Sequence, residues 1–262
     1  MKIRYLSDLH LEFIKPNKVQ NFISKIIKPK KAGVNRDDSD VLVLAGDIGN
    51  PYSQIYDLFM KEVNANFTKT FIIPGNHEYY NNKLMKDTRK YLDDYFKQYP
   101  NISFLDNGVE KYRGINFIGT TLWSHITDPA YEINDVYSIQ NFDYKKYNKL
   151  NQECVGFLKE AVDGCDSCVI ITHHQPSANV IDPKYKTARM LPYNQWFYCN
   201  MDDFILSNNG KIKCWIYGHT HTAYSGDLYG VPLRCNPIGY PGENPVCNFD
   251  TSFELDIPDL KV

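Results

Sequence analysis

The stretch Val41-Leu42-Val43-Leu44-Ala45-Gly46-Asp47 decides the fold that this sequence predicts. An unbroken apolar run of this length is typical of a buried β-strand. Gly46 then allows the backbone to turn sharply, and a carboxylate follows directly. Loops at the carboxyl ends of strands are where α/β folds place their chemistry. The stretch therefore predicts an α/β fold with Asp47 at a functional edge.

The same arrangement, an apolar run with a polar side chain just after it, occurs four more times. Each run is short and rich in residues that favour strands. Because α/β folds bind ligands at the carboxyl ends of their strands, we expect the polar groups to converge on one centre. The runs are residues 1–7 before Asp8 and His10, 71–74 before Asn76 and His77, 168–172 before His173, and 214–217 before His219.

The converging residues form a mixed oxygen and nitrogen ligand set. Six of the seven histidines lie in these stretches, together with two aspartates and an asparagine. Such a set suits Mn, Fe, Zn or Mg rather than a soft metal. Seven candidate ligands suit two divalent ions that share a carboxylate, and ions roughly 3.5–4 Å apart clamp the attacking and leaving oxygens of a phosphoryl transfer. The sequence therefore predicts a two-metal hydrolytic site.

The ordered motifs D-x-H, GD, GNHE, H and GHTH, from residue 8 to residue 221, resemble the calcineurin-like metallophosphoesterase superfamily. The segment at 236–243 also resembles small bacterial-type members. The resemblance implies a four-layer α/β/β/α sandwich with mixed sheets and a binuclear metal site at the loop edge. It implies two divalent ions, with Mn²⁺ expected and Fe, Zn, Mg or Ni as alternatives.

The resemblance also implies how the ligands divide between the two ions, with Asp47 as the bridge. Family usage favours His173 over His174 as the ligand from the His-His pair, and the sequence leaves that choice open. The implied sets are Asp8, His10 and His221 for the first ion, and Asn76, His173 and His219 for the second.

In the family, the histidine of GNHE, here His77, binds the phosphate and protonates the leaving oxygen. In Ser/Thr phosphoprotein phosphatases an aspartate three residues after the bridging carboxylate orients this histidine, and an arginine follows. This chain has Asn50 at that position and Pro51 after it. An amide does not stabilise an imidazolium as a carboxylate would, and the missing arginine removes a bidentate clamp for a dianionic monoester. We expect Asn50 to contact His77, and both departures disfavour a protein phosphatase.

Length and composition predict a single metallophosphoesterase domain over residues 1–262. A net charge of −2 gives no case for nucleic-acid or membrane binding, and the basic run at 25–31 is interpreted as a solvated helix end. No apolar stretch approaches the roughly 18–20 residues of a membrane span. The first ten residues contain two expected ligands, so they are not interpreted as a signal peptide. Seven scattered cysteines are typical of free thiols in the cytoplasm. The oligomeric state is left open.

Substrate contacts are expected from the segments between the ligand motifs. Residues 121–145 and 178–199 are long, polar and aromatic, as lids and binding loops often are. Their rings either stack on a nucleobase or cover the edge of the sandwich. The candidate substrate contacts are His77, Tyr79, His125 and Arg189.

Together these features predict a metal-dependent phosphoester hydrolase that uses a hydroxide activated by two metals. A phosphodiesterase or nucleotide phosphohydrolase acting on a small-molecule or nucleotide substrate is favoured. The alternative is a phosphomonoesterase acting on phosphoproteins or metabolites. An inactive scaffold of the same fold is the alternative outside enzymes.

Overall fold

The computed structural model of the chain describes residues 1–27, 41–243 and 252–255. Part of the predicted basic run, residues 28–31, lies outside these ranges, as does Cys247. The six described cysteines form no disulfide bond. In the described parts of the chain, no helix has both the length and the apolarity that a membrane crossing requires.

Two mixed β-sheets form the centre of the described structure. The first sheet contains, in order across it, β11 (Ser252–Glu254), β1 (Lys2–Leu6), β2 (Val41–Ala45), β3 (Lys69–Ile73) and β4 (Ile102–Phe104). The second contains β5 (Gly108–Tyr112), β6 (Ile115–Thr120), β7 (Cys168–Thr172), β8 (Ile212–Tyr217), β10 (Val231–Cys235) and β9 (Tyr224–Leu228).

The inner strands of each sheet run parallel to one another. β1 to β4 are parallel, as are β6, β7, β8 and β10, whereas β11, β5 and β9 pair antiparallel at the edges. Parallel strands bring their carboxyl ends to the same edge of a sheet. The loops after β1, β2, β3, β7 and β8 therefore lie where the sequence places its polar motifs.

Helices cover the outer face of each sheet. The first three pack on the first sheet, and the fifth and sixth on the second. The fourth is a short helix in the segment between β6 and β7. Their bounds are α1 (Val19–Ile26), α2 (Gln54–Asn66), α3 (Met85–Phe96), α4 (Asn134–Ser138), α5 (Tyr144–Asp163) and α6 (Asp202–Asn208).

Alternating side chains of the strands build three apolar cores. In β2, Leu42 and Leu44 face the helices, whereas Val41 and Val43 face the second sheet. Between the sheets, the rings of Phe71 and Phe117 stack with centroids 4.0 Å apart. The predicted four-layer α/β/β/α sandwich is confirmed.

The five predicted strands are present, with ends that differ by up to two residues. The helix before β7, α5, starts at Tyr144, where the Asp143 side chain accepts a hydrogen bond from the Lys146 N–H. The second predicted loop, residues 178–199, contains three short 3₁₀ turns. Edge strands such as β9 were not predicted because their apolar pattern is weak; in β9, two of the five residues are exposed and none is fully buried.

Candidate metal centre

The polar loops are joined to one another by backbone hydrogen bonds. The Asp8 N–H donates to the Gly46 carbonyl and the His10 N–H to the Asp47 carbonyl, each at 3.0 Å. The Gly218 N–H donates to the His173 carbonyl at 3.0 Å. The His219 N–H donates to Asp8 Oδ1 at 3.0 Å, so the strand ends of both sheets meet at one edge, as the sequence predicts.

Five of the expected ligands have a backbone conformation that residues other than glycine rarely adopt. Their φ angles lie between 46° and 68°, in the left-handed region. Such strain persists where the surrounding structure enforces it, and it clusters at functional sites. The five are Asp8, His10, Asp47, His219 and His221.

Gly75 is required because the centre leaves no room for a side chain there. A Cβ atom at this position would lie 2.2 Å from Asp47 Oδ1 and 2.8 Å from His173 Cε1. Gly46, with φ +85°, is similarly confined, since its Cβ would lie 2.5 Å from His173 Nδ1. These glycines allow the loops after β2 and β3 to approach each other closely.

One group of donor atoms comes from Asp8, His10 and His221. The His10 and His221 Nε2 atoms lie 3.0 Å apart, and His221 Nε2 lies 3.5 Å from Asp8 Oδ1. The three donor atoms lie within 4.8 Å of one another. This geometry could hold a cation.

A second group comes from Asp47, His173 and His219, with Asn76 beside them. His173 Nε2 lies 3.3 Å from Asp47 Oδ2 and 3.0 Å from Asn76 Oδ1. The Nε2 atom of His219 is buried and has no hydrogen-bond partner in the described structure. A buried imidazole nitrogen left without a partner fits a site that binds an ion.

Asp47 lies between the two groups. Its Oδ2 atom is 3.3 Å from His173 Nε2 and 3.9 Å from His10 Nε2. Its Oδ1 atom accepts a hydrogen bond from the His77 N–H at 2.8 Å. One carboxylate oxygen therefore faces donor atoms of both groups.

The two adjacent histidines after β7 point in different directions. His173 Nε2 points to Asp47, and His173 Nδ1 lies 2.9 Å from the Ala45 carbonyl oxygen. His174 Nε2 instead lies 2.8 Å from the Tyr147 hydroxyl, within the core. Burial and, to a lesser extent, the positive charge of the nearby His173 lower the pKa of His174 to about 3. Only His173 is placed among the donor atoms.

The charges of the cluster compensate one another. Burial alone would raise the pKa of Asp47, but His173 and His77 hold it well below its usual value. Burial would likewise lower the histidine pKa values, yet Asp47 raises the pKa of His173 to about 10 and Asp8 raises that of His221 to about 9. The protonated imidazoles balance the carboxylate charge, as bound divalent ions would.

Glu12, not Asn50, contacts His77. Glu12 Oε1 lies 2.9 Å from His77 Nδ1 and 3.2 Å from His10 Nδ1. Asn50 Oδ1 accepts a hydrogen bond from the Tyr52 N–H at 3.0 Å, and its amide makes no bond to His77 in the described structure. The predicted Asn50–His77 contact is therefore corrected, because the loop after β1 brings a carboxylate to this imidazole first.

Glu78, the last residue of GNHE, joins two of the loops. Its Oε1 atom accepts hydrogen bonds from the N–H groups of Ile48 and Gly49, at 2.8 and 3.2 Å. Its Oε2 atom accepts from Gly75 at 2.6 Å and from Asp47 at 3.1 Å. Glu78 thereby fixes the backbone on both sides of Asp47.

Asp135 of α4 orients Asn76. Its Oδ1 atom accepts hydrogen bonds from Asn76 Nδ2, at 2.8 Å, and from the Tyr80 hydroxyl. These bonds turn Asn76 Oδ1 toward His173. Sequence reasoning missed Asp135, since nothing around it distinguishes it from a surface aspartate.

A cavity of about 230 Å³ opens onto the cluster. The segments after β6 and β7 supply most of its wall, and Tyr240 and Glu243 close one end. Among the described residues that line it there is no lysine or arginine. The wall consists of Tyr80, Ile133, Asn134, Asp135, Gln175, Ile181, Tyr185, Met190, Asn194, Phe197 and Thr220 beside the ligand residues.

Two residues near the end of the described chain contact the cluster. Glu243 Oε2 lies 2.7 Å from His221 Nδ1 and accepts a hydrogen bond from the Tyr240 N–H at 3.0 Å. The Tyr240 hydroxyl lies 3.2 Å from His77 Nε2. The resemblance of the 236–243 segment to known family members was the available signal, although it assigned no role to either residue.

Three expected substrate contacts lie away from the cavity. Tyr79 is fully buried, and its hydroxyl accepts a hydrogen bond from Arg89, so Tyr80 takes the place at the site. His125 lines a separate depression with Asn151 and Cys199. Arg189 is exposed and is not among the described residues that line the cavity. His77 does line it.

Comparisons with known proteins bear on the family and the fold. The family model described as calcineurin-like phosphoesterase matches residues 1–223. An uncharacterized protein of Acanthamoeba polyphaga mimivirus is 31% identical over 287 aligned residues, covering 99% of this chain and 98% of that protein. The crystal structure of the phosphopantetheinyl hydrolase PptH of Mycobacterium tuberculosis is similar in fold, with a TM-score of 0.68 and 17% identity over 93% of this chain and 91% of that one.

Proposed function

The chain belongs to the calcineurin-like phosphoesterase family, and from this premise we propose that it hydrolyses phosphodiesters at a binuclear metal centre. Membership in this family makes the chain a phosphoester-hydrolysing enzyme. The phosphodiesterase assignment, the ligand roles and the choice of Mn²⁺ are the proposal.

The donor atoms fit two divalent ions. Asp8, His10 and His221 would hold one, and Asn76, His173 and His219 the other. Two observations support this assignment. His10 Nε2 and His221 Nε2 lie 3.0 Å apart, and the buried His219 Nε2 has no hydrogen-bond partner in the described structure. Oxygen and nitrogen donors in this proportion suit Mn²⁺, with Fe, Zn, Mg and Ni as alternatives.

Asp47 is the proposed bridge. Its Oδ2 atom faces both groups, and its Oδ1 atom is already engaged by the His77 N–H. When bound, the ions supply a lowered water pKa and charge neutralisation at the phosphoryl oxygens. Glu78 holds the Asp47 backbone, so the bridging oxygen keeps its place.

His77 is the proposed proton donor to the leaving oxygen. Glu12 holds its Nδ1 atom, which leaves Nε2 facing the cavity next to the Tyr240 hydroxyl. Burial alone would lower the pKa of His77, but the Asp47 and Glu12 carboxylates raise it on balance. A raised pKa favours the protonated imidazole that a general acid requires.

The observation that favours a diester is that no lysine or arginine is among the described residues lining the cavity. A dianionic monoester, or a polyphosphate, is usually held by arginine or lysine in addition to metal ions. The described lining has neither, and it has an apolar side against which a second ester substituent could pack. These features favour a phosphodiesterase over both a phosphomonoesterase and a nucleotide phosphohydrolase acting on polyphosphates.

The proposal is tested by steady-state hydrolysis of p-nitrophenyl phosphate and bis(p-nitrophenyl) phosphate. Protein stripped of metal and reconstituted with Mn²⁺ is used for both substrates, with Asp47→Asn as the control. We expect a higher kcat/KM for the diester, and no turnover of either substrate by the control. A higher kcat/KM for the monoester would overturn the phosphodiesterase assignment.

A further inference from the structure

We propose that the cavity binds an uncharged ester substituent that is partly apolar and donates an N–H or O–H hydrogen bond to Gln175. This inference rests on the proposed diester hydrolysis and names the class of substrate. Three features of the cavity carry it.

The first feature is the apolar side of the wall. It comes from two segments that are distant in sequence, one after β6 and one after β7, which converge beside the cluster of donor atoms. An apolar or aromatic part of a ligand gains free energy by leaving water for such a surface. The side chains are Ile133, Ile181, Tyr185, Met190 and Phe197.

The second feature is an unpartnered acceptor. Gln175 is 2% exposed and lines the cavity, and its Oε1 atom has no hydrogen-bond partner in the described structure. Its backbone is fixed on both sides: its N–H donates to Phe197 at 3.1 Å, and its carbonyl accepts from Cys199 at 2.8 Å. An unsatisfied buried acceptor is costly, so a donor on the ligand would be favoured here.

The third feature is the sign of the charge at the wall. Asp135 is 1% exposed and lines the wall, and its Oδ1 atom accepts from Asn76 and Tyr80. A buried carboxylate and the Gln175 acceptor, with no lysine or arginine among the described lining residues, disfavour an anionic substituent and favour one that donates hydrogen bonds.

Cations occur nearby in sequence but outside the described lining. Lys184 lies over the ring of Tyr185 and 3.9 Å from Asp182, and Arg189 is exposed. Tyr185 and Met190 themselves line the cavity. The chain therefore places its apolar groups inward and the adjacent cations outward.

The test uses three diesters that share the p-nitrophenyl leaving group. The second substituent is 4-carbamoylphenyl, 4-acetylphenyl or 4-carboxyphenyl, so that size is nearly constant while donor capacity and charge change. Each kcat/KM is divided by the rate of the same diester with Mn²⁺ alone, which removes electronic differences. The quantities compared are the ratios of this corrected kcat/KM between the three substrates.

We expect the carbamoyl diester to exceed the carboxylate diester by roughly tenfold or more, because an unpaired anion is costly to bury. We expect it to exceed the acetyl diester by roughly 3- to 10-fold, the range for one net hydrogen bond. Gln175→Leu should bring the carbamoyl-to-acetyl ratio close to one. Met190→Leu, a volume-conserving change in the same wall, should leave that ratio as it is.

Two failures are distinguishable. If the three diesters are hydrolysed with equal corrected efficiency, or if the carboxylate is preferred, the inference is overturned and the diester assignment stands. If p-nitrophenyl phosphate is hydrolysed and no diester is, the proposed function fails and the inference fails with it. A Gln175→Leu variant that keeps the carbamoyl preference would exclude Gln175 as the acceptor.

Discussion

The metal-binding edge and the cavity wall are adjacent, yet they are built in opposite ways. At the edge, each donor residue lies within a few residues of a strand end. The titratable side chains there are close together, and five of the donor residues have left-handed φ angles. The wall comes mostly from irregular segments around α4 and after β7, and its groups are apolar side chains, amides and hydroxyls apart from the carboxylates of Asp135 and Glu243. The edge therefore serves a reaction shared by the family, whereas the wall is free to select a substrate.

The largest effect should come from breaking the edge at its shared ligand. Asp47→Asn removes the anionic oxygen that faces both donor groups. Since two-metal chemistry supplies both charge neutralisation and an activated water, we expect turnover to fall by about 10⁴-fold or more. Metal content, measured by mass spectrometry of the purified variant, should fall below two ions per chain. Near-normal activity would rule out the bridging role.

His77→Ala should separate metal binding from proton transfer. His77 faces the cavity without belonging to either donor group of the proposed centre. Loss of a general acid costs roughly 10²–10⁴-fold in kcat, so a decrease in that range is expected with two ions retained. Loss of one ion equivalent would instead make His77 a ligand. A p-nitrophenyl leaving group needs little protonation, so the decrease should be larger for a diester with an alkyl leaving group.

The raised pKa values at the edge predict proton release on metal binding. His173 and His221, with pKa values of about 10 and 9, are protonated at pH 7 in the metal-free protein. Because Mn²⁺ binds neutral imidazole, its affinity should rise with pH by roughly tenfold per unit for each displaced proton, up to about pH 9. Calorimetric titrations in buffers of different ionisation enthalpy would count these protons. An affinity independent of pH would contradict the assignment.

Glu12→Gln tests the carboxylate that holds His77 and His10 together. It keeps the size of the side chain and removes the charge. Partners that orient ligands typically contribute 10- to 100-fold, so we expect kcat to fall by about that factor with KM little changed. Glu12→Asp, which restores the charge at a shorter reach, should recover part of the rate. A loss confined to KM would place Glu12 in substrate binding instead.

Asn50→Asp is the matched comparison for the Glu12 variants, and we expect it to have the smallest effect. Asn50 Oδ1 accepts from the Tyr52 N–H, and a carboxylate can accept the same bond. The kcat/KM should therefore stay within about twofold of wild type, as is usual for substitutions that keep such contacts. The pH dependence of kcat/KM should be unchanged. A shifted pH profile would mean that residue 50 reaches His77 after all.

The edge could be predicted from sequence because it depends on local order. An apolar run, a small residue and a polar residue specify a strand end and its loop, and the position of the ligand follows. The four-layer fold followed from the family resemblance that these motifs carry. Glu12 is separated from His10 by one residue, and this D-x-H-x-E spacing was a signal that went unused.

Residues 121–145 and 178–199, the segments expected to contact substrate, supply most of the wall, but the individual side chains that line the cavity could not be predicted. Tyr79 was placed at the site because it directly follows the GNHE motif, but residues 77–79 form a 3₁₀ turn, in which successive side chains diverge, and Tyr79 points into the core. Asp135 and Gln175 both line the cavity but belong to segments far apart in the chain, and no local sequence pattern determines that they come together. Asn50 was assigned by analogy of position, which did not anticipate the carboxylate from another loop.

Anomalous diffraction from crystals of the Mn²⁺-reconstituted protein tests the central claim most directly. We predict two peaks about 3.5–4 Å apart, with Asp47 between them. One peak should contact Asp8, His10 and His221, and the other Asn76, His173 and His219. A single peak, or two peaks that do not share Asp47, would contradict the binuclear centre.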